Sequence, residues 1–136
     1  MADDVVLNKA ATLERCLERV QEEYAAAGRD LDIDQTRQDA LVLNLMRACE
    51  TAIDLAMHVV RLERLGLPQT SRDAFDLLVT AEVIAPELGD RLKAMVGFRN
   101  IAVHQYQQLE IAVVWAIVEH RLEDFREFVR VLLRRC

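Results

Sequence analysis

Residues that interrupt helices are rare in this sequence, and their positions limit its fold more than any other feature. Only four glycines and two prolines occur in 136 residues. The stretches 29–65 and 98–136 contain neither residue type. Both stretches are rich in alanine, leucine, arginine and glutamate, which favour the helix, whereas glycine and proline oppose it. The sequence therefore predicts an all-α protein.

Apolar residues at helical spacing, together with the glycines, prolines and capping residues, divide the chain into five helices. We predict helices at about Val5–Ala26, Thr36–Leu65, a short stretch after Thr70 or Ser71, Pro86–His104 and Ile111–Arg134. A polar connector at 30–34 and a turn at 105–109 separate some of them. Four principal helices in two antiparallel hairpins predict an up-down four-helix bundle with one additional short helix. A chain of this length is expected to form a single domain, residues 1–136.

Charge and cysteine content narrow the possible functions. The formal net charge is −6 and the isoelectric point is near 5.1, which argues against a general nucleic-acid coat but leaves room for a few local arginines. Three cysteines without metal-ligand spacing predict free thiols in a reducing compartment, and nothing in the sequence predicts a metal or another cofactor. Because no apolar leader or spanning segment is evident, we expect a soluble, cytoplasmic protein that does not enter a membrane.

The second predicted helix is apolar around most of its circumference from Leu41 to Val60, so we expect burial on several sides, with a second protomer as one candidate cover. Four side chains interrupt this pattern: Arg47, Glu50, Asp54 and His58. At about 100° per residue they fall within roughly 80° of one another. This polar seam is either a solvated stripe of ion pairs or a cleft-facing group that supports a site. The helix alone does not decide between these two interpretations.

The fourth predicted helix carries an arginine where an apolar residue is expected. Its inward stripe is predicted from residues at helical spacing: Leu92, Met95, Val96, Val103 and Tyr106. Arg99 falls within that stripe, and because burying an unpaired guanidinium is costly, it must meet carboxylates or a ligand anion. Glu50 and Asp54 are the candidate carboxylates. His104 lies about 140° from Arg99 around a regular helix, so either the helix loosens there or two copies of the segment build one site.

The segment Arg99–Tyr106, Arg-Asn-Ile-Ala-Val-His-Gln-Tyr, resembles the Arg-x4-His-x-Tyr motif of the HepT-like toxins of the HEPN superfamily. Other blocks look like further signatures of that family, in the same order: 43–50, 53–56 with His58, 66–75 and 95–98. The resemblance covers nearly the whole chain. The spacing of arginine and histidine alone is weakly specific, whereas the ordered set of blocks is strongly specific.

The resemblance implies a homodimeric toxin that cleaves RNA without a metal, with the two motifs facing each other across a shared cleft. Arg99, Asn100 and His104 would be catalytic, since histidine exchanges protons near neutral pH, arginine holds phosphate oxygens and asparagine positions the phosphate or the 2′-hydroxyl. We expect three residues to support them: Glu50, Asp54 and Arg47. Because the RNA 2′-hydroxyl would be the nucleophile, the products would carry 2′,3′-cyclic phosphate and 5′-hydroxyl ends, and DNA would be inert.

The resemblance also implies an antitoxin, a minimal nucleotidyltransferase of the MntA type that transfers AMP from ATP to the motif tyrosine, here Tyr106. Tyr106 is seven residues from Arg99, on the same face of a continuous helix, so bulky anionic AMP there would occupy the phosphate site. Two other functions remain open. One is a non-catalytic helical partner or nucleotide-binding subunit of such a nucleotidyltransferase. The other is a structural bundle in which Arg99 makes an ordinary internal ion pair.

Overall fold

The computed structural model describes residues 3–28 and 34–136, and all regular structure within these ranges is helical. Six α-helices follow one another: α1 (Asp4–Ala27), α2 (Gln35–Leu62), α3 (Ser71–Thr80), α4 (Pro86–His104), α5 (Ile111–His120) and α6 (Leu122–Arg135). A 3₁₀ turn, Tyr106–Gln108, lies between α4 and α5. The predicted all-α class is confirmed, whereas most of the predicted connector at 30–34 lies outside the described residues.

Local signals set both ends of α1. Asp3 caps the first turn, because its Oδ1 accepts hydrogen bonds from two backbone N–H groups there, at 2.8 and 3.1 Å. At the other end Gly28 has a φ of 55°, a left-handed conformation that costs glycine little, and its N–H donates to the Tyr24 carbonyl. The observed bounds differ from the predicted ones by one residue at each end.

α2 ends earlier than its glycine and proline suggested. The sequence predicts helix up to Leu65, but the last helical residue is Leu62. Arg64 takes the left-handed conformation, with a φ of 55°, and the Leu65 N–H donates to the Val60 carbonyl at 2.9 Å. This bond closes the final turn before Gly66 is reached, in the manner of a helix C-cap.

α2 is the central helix of the bundle. It packs against α1, α3, α4 and α6, and most of its apolar side chains between Leu41 and Val60 are buried. Leu43 is the large exception, at 42% exposed. The other helices of the same chain therefore account for the burial predicted from the sequence. A second protomer is not needed to explain it.

The inward face of α4 differs from the predicted stripe in its second half. Three of the predicted residues are buried: Leu92, Met95 and Val96. Val103 is 47% exposed, however, and Tyr106 lies beyond the end of the helix, so both assignments to the inward stripe are wrong. Phe98 and Ala102 continue the buried face instead. The predicted bounds, Pro86–His104, are confirmed.

The predicted fifth helix, Ile111–Arg134, is in fact two helices, α5 and α6, which meet at Arg121. The Arg121 N–H still donates to the Ile117 carbonyl at 2.8 Å, so the chain bends without losing that bond. Just after the bend, the buried Asp124 accepts a hydrogen bond from Arg91 Nε of α4 at 2.8 Å. This contact fixes the first turn of α6 against α4. No glycine or proline marks the bend in the sequence.

Candidate active site

Arg99, near the end of α4, is held by three neighbours. Its Nη1 donates to Glu50 Oε1 at 2.5 Å, its Nε to Asn100 Oδ1 at 2.9 Å, and its Nη2 to Ser71 Oγ at 3.3 Å. The Arg99 side chain is 18% exposed and that of Glu50 is 43% exposed. The predicted contact with Glu50 is confirmed, and the guanidinium lies at the edge of the core rather than enclosed within it.

The three contacts leave part of the guanidinium free. Arginine carries five N–H donors, and no further acceptor within residues 3–28 and 34–136 bonds to Arg99 beyond these three. Two donors therefore remain. Because the planar guanidinium matches two oxygens of one phosphate or carboxylate, Arg99 can bind an anion while it stays bonded to Glu50.

Ser71 is a site residue that the sequence did not indicate. It is the first residue of α3, whose cap is Thr70: Thr70 Oγ1 accepts from the Asp73 N–H at 3.2 Å, and Asp73 Oδ2 accepts from the Gln69 N–H at 2.9 Å. This reciprocal cap fixes the start of α3, where the Ser71 hydroxyl reaches Arg99. From the sequence Ser71 was only a possible cap, because a contact between two helices leaves no local pattern.

A buried thiol lies against the pair of Arg99 and Glu50. Cys49 precedes Glu50 in α2 and is almost fully buried. Burial raises the pKa of the Cys49 thiol far above its usual value, and the nearby Arg99 lowers it only in part. The thiol is therefore protonated at neutral pH, and Cys49 provides an uncharged side chain beside the ion pair rather than a nucleophile.

Only one residue of the polar seam on α2 contacts Arg99. Glu50 does so, whereas Asp54 Oδ2 accepts a hydrogen bond from Lys9 Nζ of α1 at 3.2 Å. The predicted contact between Asp54 and Arg99 is therefore wrong. Asp54 faces α1, and Lys9 is the cation that this helix brings next to it.

The remaining seam residues lie apart from Arg99. His58 Nε2 is 3.1 Å from Asp3 Oδ1, so it joins the cap of α1. Arg47 is exposed and has no hydrogen-bond or ion-pair partner in the described part of the chain. The polar seam therefore combines the two interpretations that the sequence left open, a stripe of ion pairs and a group that supports a site. Asp54 and His58 pair with α1, whereas Glu50 supports Arg99.

His104 and Asn100 differ in their surroundings. His104 is the last residue of α4 and is exposed, with no hydrogen-bond or ion-pair partner within 3–28 and 34–136. Because α4 remains an α-helix up to His104, the loosening considered from the sequence is not observed, and about 140° separates His104 from Arg99. Asn100 lies beside Arg99 and accepts from its Nε. One chain therefore brings Asn100 to Arg99 but does not bring His104 there.

Tyr106 lies outside α4 and is bonded to α2. Its hydroxyl donates to Asp39 Oδ1, and Gln35 Nε2 donates to the same oxygen at 2.7 Å. Burial, and next the Asp39 carboxylate, raise the pKa of Tyr106 to about 12. The prediction that Tyr106 shares a helical face with Arg99 is wrong, because the helix ends before Tyr106. Asp39 was not indicated by the sequence.

Two further findings concern ligands and membranes. No group of three or more His, Cys, Asp or Glu side chains in the ranges 3–28 and 34–136 is arranged to hold a metal ion. Among the helices of these ranges, none has the length and apolar character needed to cross a bilayer.

Comparison with known proteins identifies close relatives. A family model described as "Ribonuclease HepT-like" matches residues 13–132. A protein of Shewanella oneidensis named mRNA nuclease HepT is 48% identical over 130 residues, which are 96% of this chain and 97% of the relative. A more distant relative, named tRNA nuclease HepT, comes from Aphanizomenon flos-aquae and is 27% identical over 81 residues, 60% of this chain and 55% of the relative.

A solved structure extends the likeness to the fold. It holds the tri-AMPylated HEPN toxin of Shewanella oneidensis in complex with an MNT antitoxin. The present chain superposes on that structure with a TM-score of 0.91 at 47% identity, over 96% of this chain and 97% of the other. Sequence and fold therefore agree along almost the whole length of both proteins.

Proposed function

The chain belongs to the family of HepT-like ribonucleases, and on that premise we propose that it is the toxin of a toxin–antitoxin pair. It acts in the cytoplasm as a homodimeric, metal-independent endoribonuclease. The relative with 48% identity is named for mRNA, so mRNA is the first substrate to test, and tRNA, named for the more distant relative, is the second.

This proposal rests above all on the burial and the hydrogen bonds of Arg99. It is mostly buried, oriented by Glu50, Ser71 and Asn100, and retains two unused N–H donors. A purely structural arginine would be expected to spend its donors within the core. Arg99 instead has the position and the free donors needed to hold two oxygens of a phosphodiester and to stabilise the charge that develops on them.

The proposed reaction uses the nucleophile that RNA itself carries. His104 of one protomer takes the proton of the 2′-hydroxyl as that oxygen attacks the phosphorus, and it returns this proton to the 5′-oxygen as that oxygen leaves. Arg99 binds the non-bridging oxygens, and the Asn100 amide donates to the phosphate or the 2′-hydroxyl. The products are a 2′,3′-cyclic phosphate and a 5′-hydroxyl, and DNA, which lacks the 2′-hydroxyl, is not cleaved.

Exposed apolar side chains near the motif support the proposed homodimer. Ile101 and Val103 of α4 are 39% and 47% exposed, and Val113 of α5 is 46% exposed. Ile101 and Val113 also line a largely apolar groove of about 910 Å³ between α4 and α5. A second copy packed on this surface would cover apolar area at the end of α4 that bears His104. The two motifs would then share one cleft, in which His104 of one copy would meet Arg99 of the other.

The proposed antitoxin is an MntA-type nucleotidyltransferase that transfers AMP to the Tyr106 hydroxyl. Tyr106 is 37% exposed, so this hydroxyl is accessible once it leaves Asp39. Asp39 and Glu50, the partner of Arg99, are eleven residues apart on α2, which places them about 20° apart around the helix. Anionic AMP on Tyr106 is thus added to the face of α2 that supports Arg99, where it opposes the binding of RNA phosphates.

The direct test is cleavage of mRNA and tRNA by purified protein in the presence of EDTA. We expect cleavage with 2′,3′-cyclic phosphate ends, and a loss of about 10² or more in rate for His104→Ala, in keeping with the size of acid–base contributions. Arg134→Ala is the control, since Arg134 is exposed and lies outside both the motif and the groove between α4 and α5. Cleavage by His104→Ala at the wild-type rate would remove His104 from the mechanism, and no cleavage by the wild type would support the non-catalytic partner instead.

A further inference from the structure

A second groove lies between α1 and α2 and is rich in arginine. It has a volume of about 510 Å³, and its charged lining residues are Arg15, Arg19, Arg47 and Glu50. The rest of the lining is uncharged, consisting of two threonines, an asparagine and Cys16. Burial raises the pKa of the Cys16 thiol, so this residue adds no negative charge. The groove is therefore a positively charged surface on a protein whose formal net charge is −6.

Two of its arginines are not neutralised by the chain. Arg47 has no hydrogen-bond or ion-pair partner in the described residues, and the only contact of Arg15 there is a hydrogen bond to Thr12 Oγ1 at 3.2 Å. Arg19 differs, because Glu22 and Glu23 hold its guanidinium at 2.7 and 2.9 Å. The unneutralised charge of the groove is thus that of Arg15 and Arg47.

Arg15 and Arg47 line the same groove from facing helices, α1 and α2. Both are close enough to the Cys16 thiol to act on its pKa, Arg47 more strongly, and both lower it against the effect of burial. Two guanidinium groups in one groove repel each other, and an anion bound between them offsets this repulsion. Such a pair is suited to a phosphate, which accepts hydrogen bonds from both.

The groove adjoins the candidate active site through Glu50. This residue lines the groove, and its Oε1 is 2.5 Å from Arg99 Nη1. A phosphodiester held by Arg99 therefore lies next to the groove. A nucleic acid strand carries a phosphate at every nucleotide, so the strand on one side of Arg99 would bring its next phosphates to Arg47 and Arg15.

We propose that the groove between α1 and α2 binds RNA phosphates that flank the cleaved one, with Arg47 and Arg15 as the contacting residues. This inference rests on the proposed ribonuclease function and adds a substrate-binding subsite to it. It assigns Arg47, which does not touch Arg99, to the flanking RNA rather than to catalysis. It also explains how an acidic protein holds a polyanion: the positive charge is local and lies along the path of the strand.

The test uses the double variant Arg15→Gln/Arg47→Gln and two substrates. A dinucleotide contains only the phosphate that is cleaved, whereas a longer single-stranded RNA also supplies flanking phosphates. We expect kcat/KM on the longer RNA to fall about tenfold to a hundredfold, through KM, and kcat/KM on the dinucleotide to stay unchanged. The slope of the logarithm of the binding constant against the logarithm of the salt concentration should also become shallower by about 1.4, because two phosphate contacts are lost.

The matched control is Arg61→Gln/Arg134→Gln, which removes the same charge from two exposed arginines that do not line the groove. It should retain most of its activity on both substrates. An equal loss on the dinucleotide and the longer RNA in Arg15→Gln/Arg47→Gln would overturn the proposal, as would unchanged activity on the longer RNA.

Binding measurements separate this inference from the ribonuclease proposal. If the wild type cleaves no RNA, fluorescence anisotropy with a labelled single-stranded oligonucleotide still reports on the groove. Weaker binding by Arg15→Gln/Arg47→Gln than by the control would then support the groove as a phosphate site while the proposed reaction fails. Equal binding by both would overturn the groove proposal.

Discussion

The two ends of the segment Arg99–His104 differ in how much of their surroundings the chain provides. Arg99 is mostly buried and bonded to residues from α2, α3 and α4. His104, five residues later, is exposed and has no bonded partner in the described part of the chain. Tyr106, just beyond it, is attached to α2 by a hydrogen bond to Asp39.

This difference indicates which part of the site a single chain can prepare alone. The arginine is preorganised, so it adds electrostatic stabilisation without having to be reoriented during the reaction. Among the residues that the structure describes, no group orients the histidine, and on the helix it lies about 140° from Arg99. We therefore expect its orientation to come from the RNA or from a second copy of the chain.

The largest expected effect comes from mixing protomers that lack Arg99 with protomers that lack His104. Arg99→Ala and His104→Ala should each lose about 10² or more in the rate of RNA cleavage. If Arg99 of one protomer works with the histidine of the other, mixing the two inactive variants forms heterodimers with one intact site. Activity should return to about a quarter of the wild-type value, because half of the dimers are mixed and each has one site.

The control for this experiment is the double variant Arg99→Ala/His104→Ala mixed with Arg99→Ala, which cannot form an intact site in either arrangement. Light scattering on each sample measures the oligomeric state. A monomer at micromolar concentration, or no recovery in mixed dimers whose exchange has been verified, would contradict a site shared between protomers.

A second large effect concerns Tyr106 at the exposed end. Incubation with the cognate nucleotidyltransferase, ATP and Mg²⁺ should add AMP to the wild-type chain and suppress cleavage. Tyr106→Phe should keep its fold and most of its activity and escape both effects. Intact mass spectrometry measures the added AMP units, with Tyr24→Phe as the control for the other tyrosine. Equal labelling of Tyr106→Phe would place the acceptor elsewhere.

A moderate effect is expected on the free energy of unfolding, which should change more when the contact of Arg99 is altered than when His104 is replaced. Glu50→Gln removes the carboxylate that faces a mostly buried Arg99 and should destabilise the fold by about 1 kcal/mol, since Glu50 itself is partly exposed. His104→Ala should change stability by less than about 0.5 kcal/mol, as expected for an exposed side chain without partners. Urea unfolding of both variants gives the comparison. A destabilisation by His104→Ala as large as that by Glu50→Gln would show that the histidine is also held by the fold.

The smallest expected effect is on the ionisation of Tyr106. Asp39→Asn removes the carboxylate that, after burial, raises this pKa through its hydrogen bond and its charge, so the pKa should fall partway from about 12 toward the ordinary value of 10.0. Because the folded-state pKa is raised, the associated stability is present below the unfolded-state pKa and lost as the pH rises from about 10 to about 12. Ultraviolet titration of tyrosinate in a Tyr24→Phe background measures the shift. An unchanged pKa would mean that Asp39 does not bond to Tyr106 in solution.

Features encoded within a few residues could be predicted from the sequence. The ends of α1 and the start of α4 follow from Asp3, Gly28 and Pro86, whose effects act on their own turn of helix. The bend at Arg121 was missed because no such residue marks it. The end of α2 was placed too late because an arginine, not the expected glycine, takes the left-handed position.

The candidate site was predicted in part, for a related reason. Arg99 stood out as a charge within an apolar pattern, and Glu50 was one of its two expected partners. The other, Asp54, bonds to Lys9, because the rotation of α2 relative to α1 decides that contact and periodicity does not specify it. Ser71 and Asp39 lie in helices distant along the sequence from the residues they bond to, so no local pattern could indicate them.

The hydrogen bond between Tyr106 and Asp39 also sets the distance that a group added to Tyr106 must cover to reach Arg99. Asp39 and Glu50 are eleven residues apart on α2, and at a rise of 1.5 Å per residue this is about 16 Å along the helix axis. A group added to Tyr106 must extend over three helical turns, past Leu43 and Arg47, before it reaches the neighbourhood of Arg99. We therefore expect the inhibition of RNA cleavage to increase with each AMP unit added to Tyr106, because a longer added group covers more of the surface on which RNA would bind.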